Sequence, residues 1–302
     1  MQIKDYPLIT ALSDNDLLLI QAANDGAYKS ITKANLLAGL SSSAGGTSSG
    51  LLLDAVTNVI SARSIRKLLT SYAGKSLKAA ISESSSQDIG YASNNLDLTA
   101  LNSFAGSNNI FVSELYDQIG NFNATQSTFS LCPQILTNAS IPALHYNSSF
   151  LSSPIPASNY PLTIIAVVSI VSLTNGAFIK YGDTNNGIGI GVGNGTVDNS
   201  GTNLIGLNEA IAWISSSTPL STSGLSIVEI SSTGSQTNIY LNGDVIAIGN
   251  QSYAPTGNYL IGGYSNRKPV CNIYEDIVFN TLITPLTRAT IVANMKTYYK
   301  IP

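Results

Sequence analysis

The densest group of residues that could bind or transform a ligand is the segment Tyr116-Asp-Gln-Ile-Gly-Asn121. Its amide and carboxylate side chains could hydrogen-bond sugar hydroxyls, and the ring of Tyr116 could stack on a sugar face. The same residue types also build tight turns, in which Asp117 and Asn121 bond backbone amides. Both interpretations stay open, so Tyr116, Asp117 and Asn121 are candidate carbohydrate-binding residues.

The other reactive side chains do not form a familiar catalytic or metal-binding set. His145 is the only histidine, and without a nucleophile elbow a Ser-His-Asp mechanism has no support. We expect His145 on a strand, facing solvent or a neighbouring side chain. Cys132 and Cys271 lack the spacing of metal ligands and are expected to be buried thiols, with a disulfide as the alternative. We therefore predict no metal site and no cofactor.

Composition restricts the classes of partner. Charged residues make up 10% of the chain, against roughly 25% in ordinary soluble domains, so uncharged polar groups must cover the surface. The net charge is −3 and no basic run exists to neutralise phosphates, which excludes nucleic acid as a partner.

Met1 to Pro7 contains no basic region before an apolar one, so no secretory signal is expected. Leu162 to Leu173 is too short to span a bilayer and predicts a buried strand, without membrane insertion.

Strands dominate the predicted secondary structure. The strongest signal is Asn238–Ala247, in which two apolar-alternating arms flank an Asn-Gly-Asp turn that is typical of a β-hairpin. Gly187–Gly193 lacks the Lys-Ser/Thr of a phosphate loop and predicts a strand in close backbone packing. Many short strands with Gly, Asn and Ser between them indicate a two-sheet sandwich. The predicted strands of this region are 110–115, 133–136, 143–146, 162–173, 177–181, 188–192, 210–214, 225–230, 238–241, 245–248, 259–261 and 271–279.

Helical spacing occurs at three places in the same region. They are Ser61–Tyr72, Thr99–Phe104 after Asp97, and a C-terminal segment that Thr287 is expected to cap. In the first of these helices, the residues on the predicted solvent face are Arg63, Arg66 and Lys67.

Residues 1–40 are predicted to form a separate unit. Strands at 17–22 and 28–31 flank a turn at 24–26, and a short helix at 33–38 follows the N-cap Thr32. One hairpin and one short helix cannot bury enough apolar surface to be stable alone, so we expect packing against sister chains or a host assembly. Residues 41–50 form a Gly/Ser linker, and residues 51–302 form the main domain.

Several motifs of the main domain follow one another in the order of a known family. Ser61–Gly74, Gln87–Gly90, Tyr116–Asn121 and Asn123–Gln126 resemble the opening of the catalytic-type domain of family 54 arabinofuranosidases. The segment from Leu260 through Phe279 resembles its last strands, and the Asn238–Ala247 hairpin resembles that of laminin-G and concanavalin A-like jelly rolls. The resemblance covers about residues 51–302. It implies a mainly β, concanavalin A-like jelly-roll sandwich with a few short helices.

The same resemblance implies where catalytic carboxylates would lie. The family places a nucleophilic Glu in mid-domain and an acid Asp in the loop that here is 262–268, which contains no carboxylate. The middle region 187–206 offers only Asp198, and Glu209 lies near Trp213 without an identifiable partner. Because a glycosidase needs two carboxylates roughly 5 to 9 Å apart, we predict that the chain is not an enzyme and has no catalytic residues. A glycoside hydrolase or depolymerase of arabinofuranosidase-like type is the alternative.

Sugar binding could persist without catalysis. The loop nearest the family's cleft contains Tyr264, Asn266 and Arg267, which are therefore candidate carbohydrate-binding residues. Trp213, the only tryptophan, is either a core residue or a stacking platform for a sugar.

Residues 1–40 resemble the docking heads of phage fibre and baseplate proteins, through 3–7, 16–20 and 29–33. With the linker and the jelly roll, this resemblance implies a structural virion protein of a tail fibre, baseplate or capsid fibre. It would bind other virion proteins through residues 1–40, form a homotrimer as fibre-type heads do, and present a lectin-like domain to host-surface polysaccharide. It would be assembled in the host cytoplasm and released by lysis. A purely architectural decoration protein is a further alternative.

Overall fold

The chain forms two compact units in the computed structural model, residues 1–49 and 50–302. The structure describes residues 17–21, 28–32, 50–138, 140–156, 161–172, 176–182, 187–193, 203–208, 212–220, 224–250, 255, 257–263 and 269–302. In the first unit, β1 (Leu17–Gln21) and β2 (Tyr28–Thr32) form the expected antiparallel hairpin. The predicted turn at 24–26, helix at 33–38 and linker at 41–49 lie outside the described residues. The division into docking unit, linker and domain therefore stays a prediction.

The second unit, which we call the main unit, is built from antiparallel strands, as the sequence predicts. They are β3 (Val59–Ser64), β4 (Leu77–Ser82), β5 (Ser85–Ile89), β6 (Tyr91–Ala92), β7 (Asn95–Leu96), β8 (Phe111–Leu115), β9 (Ala124–Thr125), β10 (Gln134–Leu136), β11 (Ala143–Tyr146), β12 (Leu151–Ser153), β13 (Leu162–Ile170), β14 (Gly176–Gly182), β15 (Gly187–Gly193), β16 (Asn203–Asn208), β17 (Ala212–Pro219), β18 (Ser226–Ser232), β19 (Thr237–Leu241), β20 (Asp244–Gly249), β21 (Tyr259–Ile261) and β22 (Cys271–Phe279).

These strands form the two layers of a jelly-roll sandwich. The first layer has the order β20-β19-β18-β13-β22, with β3 and β11 both paired to the far edge of β22. The second has the order β17-β16-β15-β14-β21-β12-β9-β8-β4-β5. β10 connects the layers because it pairs with both β11 and β8.

The central strand β13 shows why the longest apolar run of the chain is continuous. Ile164, Ala166 and Val168 belong to the core between the layers, whereas Ile165 and Val167 belong to a second core on the other face. A strand that is buried on both faces needs apolar side chains at every position. The prediction of a buried strand here is confirmed.

Two α-helices complete the main unit in its described part. α1 (Leu98–Ala105) confirms the helix predicted after Asp97, and the Asp97 side chain accepts a hydrogen bond from the amide of Ala100. α2 (Pro285–Tyr299) covers the second core. Its N-cap is Thr284, which accepts a hydrogen bond from the amide of Thr287, so the predicted cap was wrong by one turn. Neither helix is long and apolar enough to cross a membrane.

The helix predicted at Ser61–Tyr72 is wrong, because residues 59–64 form β3 instead. Arg63 is paired across the sheet with Asp276 of β22, and their side chains form a buried ion pair of 2.5 Å. Arg66, also predicted to face solvent, lies 2.7 Å from the buried carboxylate of Glu275. Arg63 and Arg66 are therefore interior ion-pair partners, whereas Lys67 is only half-buried and donates a hydrogen bond to the carbonyl of Thr70.

Candidate functional site

Three charged side chains of neighbouring strands lie side by side on the outer face of the second layer. Cross-strand pairing places Lys78 of β4 between Asp88 of β5 and Glu114 of β8. Side chains alternate along a strand, so the adjacent residues Leu77 and Ile89 point into the core. The register of three strands thus gathers these charges on the accessible face.

Tyr116, directly after β8, completes this cluster. Its hydroxyl donates a hydrogen bond to Asp88 Oδ1 at 2.8 Å. Lys78 Nζ lies 3.2 Å from Glu114 Oε2 and 4.0 Å from Asp88 Oδ1, and the Asn123 amide donates to Glu114 Oε1 at 2.8 Å. We call these five residues, Lys78, Asp88, Glu114, Tyr116 and Asn123, the Tyr116 face.

In the Tyr116 face, the phenol of Tyr116 stays neutral and the two carboxylates are accessible to solvent. Burial, the hydrogen bond to Asp88 and the charge of Glu114 together raise the pKa of Tyr116 well above its ordinary value, so its hydroxyl remains a donor. The side chains of Asp88 and Glu114 are 43% and 19% exposed, which leaves their oxygens within reach of a ligand.

A cavity of about 350 Å³ lies one pleat further along the same strands. Ala80 and Ser86 line it and are two residues from Lys78 and Asp88 on the same outer face. Hydroxyl and amide groups dominate its wall, together with one aromatic ring, that of Phe129. Its other lining residues are Ser82, Glu83, Ser113, Gln126, Ser127, Thr128 and Cys132.

The structure gives Asp117 a structural position. Its buried carboxylate accepts hydrogen bonds from the amides of Ala62, Ile119, Gly120 and Phe122. These bonds hold the turn after β8 against β3, as in the structural alternative considered for this segment.

Asn121 lies on the exposed side of that turn with a φ of 62°, a left-handed conformation that asparagine tolerates. The turn therefore separates the roles of the candidates: Tyr116 reaches the accessible face, whereas Asp117 fixes the backbone behind it.

The remaining predicted sugar contacts are not tested by the structure. Tyr264, Asn266 and Arg267 lie outside the described residues, as do Asp198 and Glu209. Trp213 is located only as a backbone position of β17, opposite Leu207.

His145 and the cysteines occupy the positions that the sequence predicts. His145 lies on β11, where Nδ1 is 2.8 Å from Asn272 Oδ1. Cys132 and Cys271 are buried and free. Burial raises the pKa of the Cys132 thiol to about 11, so it stays protonated at neutral pH. The disulfide alternative is excluded. Within the described part of the chain, no cluster of His, Cys, Asp and Glu is arranged to hold a metal ion.

Sequence reasoning missed Lys78, Asp88 and Glu114. Each is adjacent to a buried aliphatic residue of the core, at Leu77, Ile89 and Leu115. That alternation is the signal that could have indicated half-buried strands at 77–82 and 85–89.

Comparisons with known proteins identify the fold. No family model matches the sequence, and no curated protein matches it. Among solved structures, a GH54 α-L-arabinofuranosidase soaked with a cyclic sulfate inhibitor matches at a TM-score of 0.61 and 14% identity, over 78% of this chain and 63% of that one. The chain has the fold of that enzyme. An arabinofuranosidase complexed with arabinofuranosyl-α-1,2-xylobiose matches at a TM-score of 0.60 and 13% identity, over 78% and 62% of the two chains. The protein thus spans less than two thirds of the length of either.

The prediction that the chain is not an enzyme is contradicted by this comparison, because the structures matched at TM-scores of 0.60 to 0.61 are those of arabinofuranosidases. That prediction rested on the loop 262–268 and the region 187–206. Residues 264–268 of that loop and residues 194–202 of that region lie outside the described residues. It also overlooked Asp88 and Glu114, whose strands were not predicted to meet.

Proposed function

We propose that the main unit binds carbohydrate through the Tyr116 face. The observation that carries this proposal is the convergence of Tyr116, Asp88, Glu114 and Asn123 on one accessible surface. Carboxylate and amide oxygens accept hydrogen bonds from sugar hydroxyls, and a tyrosine offers both an apolar ring and a polar tip. Since carboxylates outnumber the single cation Lys78 in this cluster, it suits neutral sugars better than acidic ones.

The adjacent cavity supports the same ligand class. Its volume of about 350 Å³ lies in the range of small-molecule sites. Ser82, Ser86 and Gln126 supply groups that can both donate and accept hydrogen bonds. The ring of Phe129 adds an apolar surface beside them, and a sugar presents both kinds of surface to a binding site.

Replacing Tyr116 by Ala is expected to weaken carbohydrate binding roughly 10- to 100-fold, because the ring and the donor to Asp88 are both lost. Tyr116→Phe, which keeps the ring, should lose less. Titration calorimetry with debranched arabinan and arabinoxylan measures the effect, since solved structures of this fold carry arabinofuranosyl ligands. Asn102→Ala, at an exposed position of α1, is the control and should bind as the parent chain does. Equal affinity of the Tyr116→Ala and Asn102→Ala chains would show that the Tyr116 face is not the site.

Glycoside hydrolysis is the second candidate function. Asp88 Oδ1 and Glu114 Oε2 both lie within 4.0 Å of Lys78 Nζ, so their separation is at most roughly 7 Å, an upper limit compatible with the carboxylate pairs of glycosidases. Release of reducing ends from the same polysaccharides measures turnover. If Asp88→Asn and Glu114→Gln each abolish turnover and retain polysaccharide binding, the pair is catalytic. If the parent chain binds polysaccharide without releasing reducing ends, the Tyr116 face has a binding role only.

We further propose that residues 1–40 attach the protein to other proteins of a phage particle. The protein would be a homotrimer, and its β-sandwich would bind polysaccharide on the surface of the host. The protein would then reside in the virion. The support is the arrangement along the chain: a short hairpin, a Gly/Ser-rich segment, and a much larger unit with its own two cores. A hairpin of this size gains stability by association.

Deletion of residues 1–40 is expected to leave a folded main unit and to abolish trimerisation. Light scattering should give three times the 31.6 kDa chain mass for the full protein and a monomer for the truncated one. The truncated protein should also fail to incorporate into particles. A trimer that survives the deletion would place the oligomeric contacts elsewhere.

A further inference from the structure

A row of uncharged polar side chains crosses the outer face of the first layer beyond the part that α2 covers. Cross-strand pairing places Gln134 of β10 beside His145 of β11, His145 beside Asn272 of β22, and Asn272 beside Ser169 of β13. We call these four residues the His145 row. Their neighbours along each strand point into the core; these are Ile135, Leu144, Tyr146, Val168, Ile170, Cys271 and Ile273.

The hydrogen bonds within the His145 row leave donors and acceptors unused. Asn272 Oδ1 can only accept, so the bond from His145 Nδ1 at 2.8 Å places the proton on Nδ1. In that tautomer, Nε2 can accept a hydrogen bond. The Asn272 amide donates one hydrogen to Ser169 Oγ at 3.0 Å and keeps a second. The Gln134 side chain makes no hydrogen bond within the part of the chain that the structure describes, and all four residues are partly exposed.

Each end of the His145 row leads to a cavity. At the Ser169 end, a cavity of about 400 Å³ is lined by Ser169, Asn272 and Tyr274, with apolar walls from Ile170, Val171, Gly224 and Leu225. At the other end, the pairing continues from Gln134 to Phe111 of β8, then to Ala80 of β4 and Ser86 of β5. The last two residues line the cavity beside the Tyr116 face.

The chemistry of this surface selects a neutral carbohydrate chain. Among the described residues, neither the His145 row nor the lining of the cavity at Ser169 contains a Lys, Arg, Asp or Glu, so a phosphate or an acidic polymer finds no cation among them. A peptide could not add as a strand, because β11 and β22 are both paired on either side. Three strand spacings make the His145 row roughly 14 Å long, which is longer than a single sugar.

We propose that the His145 row and its cavity form an extended subsite for a neutral polysaccharide that crosses the strands toward the Tyr116 face. The inference rests on the proposed carbohydrate-binding function and specifies its ligand as a polymer. The Tyr116 face would hold one part of the chain, and amide, imidazole and hydroxyl groups of the row would bind the next sugars.

The single histidine provides a site-specific test. The full chain is labelled with ¹³C,¹⁵N-histidine, and the imidazole resonances of His145 are followed by NMR while debranched arabinan, arabinoxylan, dextran, mannan or acidic polygalacturonate is added. At least one neutral polysaccharide is expected to shift the Nε2 resonance, and polygalacturonate is not. The Gln134→Ala/Asn272→Ala chain should bind that polymer about 10-fold more weakly, while its affinity for a trisaccharide such as arabinotriose changes less than twofold. Asn102→Ala is again the control.

The outcomes separate this inference from the proposed function. If a polysaccharide binds and Tyr116→Ala weakens it, but His145 does not shift and the double variant binds normally, the extended subsite is wrong and the Tyr116 face stands. If His145 still shifts in the Tyr116→Ala chain, the His145 row binds independently, which supports the subsite. If no polysaccharide binds the parent chain, both proposals fail. Equal losses for polymer and trisaccharide in the double variant would indicate a merely structural role and would also overturn the subsite.

Discussion

Replacing Asp276 by Ala is expected to lower the free energy of unfolding by about 3–5 kcal/mol. Arg63 and Asp276 are 0% and 1% exposed, and the removal of the carboxylate leaves the guanidinium buried without its counter-ion. Burial opposes the charge of Arg63, but Asp276 more than compensates and raises the pKa of the guanidinium above its ordinary value. Even without Asp276 the guanidinium cannot escape the penalty by losing its proton, because arginine stays protonated inside proteins. Urea unfolding followed by circular dichroism measures the loss.

A double replacement and an exposed pair provide the controls. Arg63→Met with Asp276→Leu removes both charges and should recover much of the stability, because apolar residues of similar volume replace a buried pair at little cost. Asp88→Ala disrupts the exposed contact with Lys78 and should cost about 1 kcal/mol or less. If Asp276→Ala were no more destabilising than Asp88→Ala, the buried pair would not contribute as its geometry indicates.

The second large effect is expected at Gly262, which follows β21. Its φ is 94°, its amide donates to the carbonyl of Phe178 at 2.7 Å, and an added Cβ would overlap the buried ring of Tyr146. Gly262→Ala should therefore combine backbone strain with overpacking and destabilise the main unit by about 3 kcal/mol or more.

Two other glycines separate those contributions. Gly106 has a φ of 56° and open space where a methyl group would lie, so it isolates the backbone strain, and its replacement by Ala should cost about 1 kcal/mol. Gly224 has neither constraint, so Gly224→Ala should change stability by less than about 0.5 kcal/mol. Thermal unfolding should show the largest loss of stability for Gly262→Ala and the smallest for Gly224→Ala. If the Gly262→Ala and Gly106→Ala chains were equally stable, the Tyr146 ring would move away from the added methyl group at no energetic cost.

The sequence predicted those strands and turns whose conformation is determined by residues close together in the chain. The Asn242-Gly243 turn has positive φ at both residues, 54° and 102°, as a two-residue hairpin requires. The strand β13 could be recognised from its continuous apolar run, because it is buried on both faces. In contrast, Ser61–Tyr72 has the spacing of an amphipathic helix. The strand conformation of Ser61–Ser64 instead depends on pairing with Glu275, Asp276 and the following residues of β22, which lie far away in sequence.

The candidate site was predictable only in part for the same reason. Tyr116 could be identified from its own segment. The partnership of Lys78, Asp88 and Glu114 follows from the register of three strands, and a register is set by the whole sheet. The His145 row likewise draws on strands that are distant in sequence. The predicted contacts at Trp213, Tyr264, Asn266 and Arg267 stay predictions.

The position of β22 in the first layer has a consequence for biosynthesis. It hydrogen-bonds to β3, β11 and β13, all of which are translated long before it. At roughly 5–20 residues per second, β3 emerges from the ribosome on the order of 10 to 40 s before the strand it needs. The nascent chain must therefore hold β3, β11 and β13 incompletely paired until β22 has been made, and the first layer closes only then.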